Sequence, residues 1–123
     1  MLVLVAEDNP DNFALLERFL KRRGCEVIGA GGGREAVALT AERRPDLVLM
    51  DLSLPDISGL DATARIRSDA RTSATPIIAV TAHAMGGDRA RCLEAGCTEY
   101  VSKPIDYDQL GALIDKLAAP RPA

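Results

Sequence analysis

The sequence predicts an α/β fold in which a parallel β-sheet is covered by helices on both faces. Short, continuously apolar runs of strand length recur along the 123 residues. Segments of helical length, each with its own start and stop signals, separate them, and the two kinds alternate from end to end. Unbroken apolar runs, unlike alternating ones, suit strands buried on both faces of a parallel sheet. Strict β-then-α alternation in turn implies right-handed crossovers that place helices on either side.

The elements run in order along the chain. Leu2-Val3-Leu4-Val5-Ala6 is the first apolar run. Asn9-Pro10 supplies an N-cap and then proline at the first helical position, where its missing N–H is no loss, and Gly24 closes that helix. Cys25-Glu26-Val27-Ile28 is mixed in polarity and suits an edge strand, and Gly29-Ala30-Gly31-Gly32-Gly33 reads as a flexible turn into the second helix. Residues 47–50 form the third strand, and Ser58-Gly59-Leu60-Asp61 starts the next helix with capping-box-like spacing. Residues 77–80 form the fourth strand, and the helix beginning near Asp88 ends at Gly96. Glu99-Tyr100-Val101 suits a short strand at the other edge. Asp106 with Gln109 opens a last helix, whose Tyr107, Leu110, Ile114 and Leu117 recur on one face. The expected organisation is one domain over residues 1–119, a loose tail over 120–123, and no output domain.

Composition excludes several classes of function. With 15 basic and 18 acidic side chains the net charge is −3, which argues against a surface built to coat nucleic acid or anionic lipid. Phe13, Phe19, Tyr100 and Tyr107 are too few aromatics for a base-stacking platform. Cys25, Cys92 and Cys97 form an odd set with no CxxC and only one histidine, so a disulfide framework or a zinc site is not expected. They read as small apolar residues in a reducing compartment. No apolar run approaches the length of a membrane span and no basic leader precedes Leu2, so a soluble, cytoplasmic protein is expected.

The chemistry lies just beyond the end of each buried strand. After the first strand comes Glu7-Asp8, after the third Asp51, after the fourth Thr81, and just beyond the fifth Lys103-Pro104. Open α/β sheets bind ligands outside the carboxyl ends of their strands. Three carboxylates, a hydroxyl and an ammonium group from distant parts of the chain therefore converge on one cleft. The acidic groups need balancing cations, and a divalent ion together with the Lys103 ammonium supplies them. Hard oxygen donors suit Mg²⁺. A Mg²⁺–lysine pair around one carboxylate is also an arrangement for phosphoryl transfer, with Asp51 as the nucleophile that becomes an acyl phosphate. Each residue alone has an ordinary reading: a turn former, a loop hydroxyl or a solvated charge. Their joint placement carries the signal.

Competing motifs fit less well. The glycines at 29 and 31–33 would need another at 34 for a dinucleotide loop, and Arg34 stands there; Gly33-Arg34 is likewise not the Gly-Lys of a P-loop. Asp51-Leu52-Ser53 lacks the second aspartate of an Asp-x-Asp phosphohydrolase. Arg18, Lys21, Arg22 and Arg23 cluster at a helix end, where basic residues complement the dipole.

Taken together, Ala6-Glu7-Asp8-Asn9-Pro10, the stretch from Asp46 through Asp51 and Pro55 to Gly59, Pro76-Ile77-Ile78-Ala79-Val80-Thr81-Ala82, Ala95-Gly96 and Lys103-Pro104 resemble the receiver domain of two-component response regulators. The resemblance covers residues 2 to about 118. It implies a flavodoxin-like, doubly wound (βα)5 fold with strand order 2-1-3-4-5. It further implies that Asp51 accepts a phosphoryl group from phosphohistidine on a sensor histidine kinase or histidine phosphotransfer protein. Asp8 and Asp51 would bind Mg²⁺ through carboxylates and Ser53 through its backbone carbonyl, with Glu7 in the acidic pocket. Lys103 would hold phosphoryl oxygens, and Lys103-Pro104 resembles the family's cis peptide. Thr81 would swing toward the phosphoryl group and Tyr100 would turn inward with it.

The family's acidic pair often has aspartate at both positions, and Glu7 departs from that. Ser53 and His83 match cleft-mouth positions that influence phosphoryl lifetime. The reading is of a phosphoacceptor switch without enzyme activity on other substrates. It acts on a downstream protein through the face of the fourth helix, fifth strand and fifth helix, and leans toward the cell-division and polarity regulators of the family. The alternatives are a receiver cut from a hybrid histidine kinase, which the Thr81-Ala82-His83-Ala84-Met85 stretch resembles, and a Mg²⁺-dependent phosphatase.

Overall fold

The computed structural model describes residues 1–82 and 88–118. Strands and helices alternate as β1 (Leu2–Ala6), α1 (Pro10–Arg22), β2 (Glu26–Ala30), α2 (Gly33–Arg43), β3 (Leu47–Asp51), α3 (Gly59–Ser68), β4 (Ile77–Thr81), α4 (Asp88–Ala95), β5 (Glu99–Ser102) and α5 (Tyr107–Ala118). The strands form one sheet in the order β2-β1-β3-β4-β5, and every pair is parallel. Strands β3 and β4 are buried along their whole length, whereas β2 and β5 at the edges are only partly so.

Alternate side chains along the central strands point to opposite faces and build two cores. Val3, Val5, Leu47, Leu49, Ile78 and Val80 meet Leu16 and Leu20 of α1 and Leu110 and Ile114 of α5. Leu4, Ala6, Val48, Met50, Ile77 and Ala79 meet Ala36 of α2, Ala62 and Ile66 of α3, and Cys92 of α4. Leu20 has no exposed surface. Leu20→Ala should therefore destabilise the fold by about 2–5 kcal/mol, read as a lowered denaturant midpoint.

The helix ends use the expected signals. Asn9 accepts from the Asp11 and Asn12 N–H groups at 2.9 and 3.1 Å, with Pro10 beginning α1. The Ser58 hydroxyl accepts from the Asp61 N–H at 3.1 Å, and Asp106 caps α5 through the N–H groups of Asp108 and Gln109. Gly24 and Gly96 follow α1 and α4 with φ of 81° and 106°, the left-handed region that glycine enters without strain. Beyond Gly96, the Cys97 N–H returns to the Cys92 carbonyl at 2.9 Å. Cys92 and Cys97 are buried free thiols, and burial pushes the Cys97 thiol up to about 11, in keeping with apolar filling.

One expectation needs correction. The glycine-rich stretch is not all turn, because β2 starts at Glu26 and continues through Gly29 and Ala30. Gly29 belongs in the strand because it pairs with Val5 of β1, and only glycine leaves room there for the Phe13 ring of α1: a Cβ would stand 2.8 Å from the ring. Among the described residues, no helix is long and apolar enough to cross a membrane.

Candidate functional site at the carboxyl ends of the strands

The sheet brings Glu7, Asp51, Thr81 and Lys103 to one edge because β1, β3, β4 and β5 run parallel and end together. Asp51 is the last residue of β3 and Thr81 the last of β4; Glu7 and Asp8 directly follow β1. One carboxylate oxygen from each of Glu7, Asp8 and Asp51 lies within 4.8 Å of the other two, with Glu7 and Asp51 buried and Asp8 exposed. From the loop after β5, the Lys103 ammonium reaches in to 2.8 Å from Asp51 Oδ2 and 3.6 Å from Glu7 Oε1. The loop is tied at its start by the Lys103 N–H donating to the Thr81 carbonyl at 2.8 Å, and the Lys103–Pro104 peptide is cis.

The other expected residues take distinct places. The Ser53 N–H donates to Asp51 Oδ1 at 2.8 Å, so Asp51 is held at both oxygens, by a backbone amide and by an ammonium. Thr81 is buried beside Ser102 in the ladder. Tyr100 stands farther off: half-buried, it packs against the core under α2–α4, with the Arg89 guanidinium 5.9 Å from its ring centre. His83 lies outside the described residues, as do 119–123.

The electrostatics separate the two buried carboxyls. Burial, and then a hydrogen bond to Asp51, pushes Glu7 up to about 7. Asp51 is also buried, which alone would raise it, yet hydrogen bonds from Glu7, Lys103 and the Ser53 N–H hold it below the usual carboxylate value. Burial likewise works against the Lys103 charge, and the bond to Asp51 together with the charges of Asp51 and Glu7 more than offsets it. Without a metal, Glu7 thus keeps, up to about pH 7, a proton that it shares with an ionised Asp51. Glu7 Oε1 is nonetheless a buried oxygen with no hydrogen-bond partner. Clustered hard oxygen donors, one of them buried and unsatisfied, fit a small divalent cation.

Two contributors escaped the sequence reading. Asn12 of α1 lines the same cavity as Glu7, and its side-chain amide draws the Glu7 acidity back toward the ordinary value. Its signal was helical spacing: Asn12 lies one turn inside the cap at Asn9. Asp56, in the loop after β3, accepts from the Gly33 and Arg34 N–H groups at 2.7 and 3.0 Å. The backbone N–H groups of Arg34, Gly33 and Ile57 hold Asp56 at about 2. A cavity of about 460 Å³ opens beside Asp51 and Lys103, between Leu15 and Leu16 of α1 and Ile105 and Tyr107.

A family model described as "Response regulator receiver domain" matches residues 3–115. The chain belongs to the response regulator receiver domain family. Over 103 residues, 84% of each chain, it is 45% identical to the polar-differentiation response regulator DivK of Brucella anthropi. The corresponding protein of Brucella ovis is 44% identical over the same coverage. Among solved structures, the receiver domain of a sensor histidine kinase from Pseudomonas aeruginosa superposes with a TM-score of 0.88 at 37% identity, covering 94% of this chain and 95% of that one. That structure has a magnesium ion coordinated in its active site cleft. The signal receiver domain of a histidine kinase from Syntrophus aciditrophicus gives 0.89 at 26% identity, covering 99% and 94%.

The receiver is a two-component signalling switch, and as a receiver it works with histidine kinases or phosphotransfer proteins. Identity is higher to the DivK response regulators than to the kinase receivers, which does not favour a receiver cut from a hybrid kinase.

Proposed function

We propose that Asp51 is the phosphoacceptor. A carboxylate oxygen of Asp51 attacks the phosphorus of a phosphohistidine on a sensor histidine kinase or phosphotransfer protein. The phosphorus–nitrogen bond breaks, the imidazole leaves and takes up a proton, and Asp51 becomes an acyl phosphate. The observation that carries this reading is that Asp51, though buried, is kept ionised by Lys103 at 2.8 Å and the Ser53 N–H at 2.8 Å. A nucleophile must be unprotonated, and this one is.

Asp8, Asp51 and the Ser53 backbone carbonyl would hold Mg²⁺, with Glu7 joining through water. When bound, the ion supplies neutralisation of charge at the phosphoryl oxygens. Lys103, already 2.8 Å from the reacting carboxylate, follows one of those oxygens. Thr81, next in the sheet to β3, hydrogen-bonds the phosphoryl group, and Tyr100 turns inward from beneath Arg89 as α4, β5 and α5 repack. That face then engages a downstream protein in the cytoplasm, with no direct part for nucleic acid. The acyl phosphate is made and lost on the protein's own residue. Incubation with Mg²⁺ and a phosphohistidine donor should add one phosphoryl group per chain that base and hydroxylamine both release, as they do from an acyl phosphate, and no incorporation would refute the proposal.

The shared proton has a measurable consequence. Glu7 is raised in the folded state from 4.5 to about 7. Its contribution to the stability of the metal-free protein is therefore complete below pH 4.5 and lost as pH rises through 7. Asp51 is shifted downward and contributes no change in that window. Melting temperature without metal should fall between pH 5 and 8. Mg²⁺ competes with the Glu7 proton, so its affinity should weaken by about tenfold per pH unit below 7. Calorimetric titration at several pH values measures both, and a pH-independent Mg²⁺ affinity would contradict the shared proton.

A further inference from the structure

The glycines at 31–33 fit neither a dinucleotide loop nor a P-loop, yet the structure gives two of them a specific use. Gly32 is the N-cap of α2 and offers no side-chain cap, so the first N–H groups of that helix need an acceptor from elsewhere. Asp56 supplies it from the loop between β3 and α3, with one carboxylate oxygen on the Gly33 N–H and the other on the Arg34 N–H. A Cβ on Gly32 would stand 2.9 Å from Asp56 Oδ1, and one on Gly33 would stand 2.5 Å from Ile57 Cγ1. The two glycines thus make room for two adjacent residues of one loop, Gly32 for Asp56 and Gly33 for Ile57. The loop follows Asp51 directly and carries Ser53. Its start is pinned to β4 by the Leu52 N–H on the Val80 carbonyl at 3.0 Å, and its end by the Gly59 N–H on the Leu52 carbonyl at 3.2 Å. Between those pins Leu54 is buried and Asp56 reaches across to α2.

We propose that Asp56 is a positioning residue of the phosphoacceptor site: by capping α2 from the loop behind Asp51, it holds the Ser53 backbone in the place from which its carbonyl serves the metal. This rests on the proposed Mg²⁺ site. A backbone carbonyl binds an ion well only if its loop is already ordered, since ordering it on binding subtracts from affinity. The cap supplies that order in advance. A helix N-terminus and an ionised carboxylate attract each other, and the low pKa of Asp56, about 2, keeps it charged throughout the working pH range.

The experiment separates positioning from helix capping. Mg²⁺ is titrated into ¹⁵N-labelled protein and followed by the Leu52 and Ser53 amide shifts, with melting temperature measured in parallel. Asp56→Ala should weaken Mg²⁺ binding about tenfold and lower the melting temperature. Gly32→Ser added to it gives α2 a cap of its own; residue 32 is extended, with φ −152° and ψ 168°, and the space left by the carboxylate accepts the hydroxyl. That double variant should regain melting temperature while Mg²⁺ binding stays weak. Wild-type Mg²⁺ affinity in Asp56→Ala, or recovery of both quantities in the double variant, would overturn the inference. Should Asp56→Ala fail to fold, Asp56→Asn, which keeps one acceptor oxygen, should show intermediate weakening, and unchanged affinity there would overturn it equally. Wild-type protein without Mg²⁺-dependent shifts at these amides would instead remove the metal site itself, and the inference with it.

Discussion

Asp51→Asn should reduce phosphoryl incorporation from a phosphohistidine donor by more than about a thousandfold while leaving the fold in place. The two effects separate because of how Asp51 is held. An asparagine oxygen still accepts from the Ser53 N–H, which bonds Asp51 Oδ1 at 2.8 Å in the wild type. The ion pair with Lys103 is lost, but Glu7 Oε1 stands 3.6 Å from the same ammonium. With the Asp51 charge gone, a main reason for Glu7 to keep its proton disappears as well. Burial still raises Glu7, but it ionises more readily beside Lys103, which keeps a carboxyl partner. Circular dichroism and melting temperature should stay near wild type, so the lost incorporation reports the nucleophile and not unfolding.

Gly59→Ala should be among the most damaging single-methyl additions in the protein. Gly59 begins α3 where the helix is seated against the end of β3, and an added Cβ would stand 2.4 Å from the Asp51 backbone oxygen and 2.8 Å from Leu52 Cα. These are backbone atoms, so no flexible side chain can give way. Either α3 backs off the sheet or the end of β3 shifts. We expect a stability loss of about 1–3 kcal/mol in chemical denaturation. Because the displaced atoms belong to Asp51 and Leu52, Mg²⁺ binding should weaken in the same variant. A stable variant with unaltered metal affinity would show that this contact does not set the geometry of the site.

Much of this was legible in the sequence because it depends on local signals or on one simple rule. The apolar runs at 2–6 and 77–80 are continuous because their strands are covered on both sides, and Asn9, Ser58 and Asp106 cap helices within three residues of themselves. The gathering of Glu7, Asp8, Asp51 and Lys103 follows once the strands are parallel, since residues at their carboxyl ends must then be neighbours. Less accessible were features that need a partner distant in the chain. Gly29 continues β2 by pairing with Val5 and must be glycine because of where the Phe13 ring lies, and Asp56 caps a helix that begins 23 residues before it. The proton shared by Glu7 and Asp51 was hidden for a further reason. Three acidic residues and a lysine give the charge inventory, but only burial and hydrogen-bond direction decide which carboxyl stays protonated.

The central claim is that the phosphoryl group resides on Asp51, and reductive trapping tests it most directly. Borohydride reduces an acyl phosphate to the alcohol with release of phosphate, so a phosphorylated aspartate becomes homoserine. Protein phosphorylated with Mg²⁺ and a phosphohistidine donor, reduced, digested and sequenced by mass spectrometry should carry homoserine at position 51 and retain aspartate at 8 and 56. Conversion at another acidic residue, or phosphorylated protein with no conversion at 51, would contradict the account.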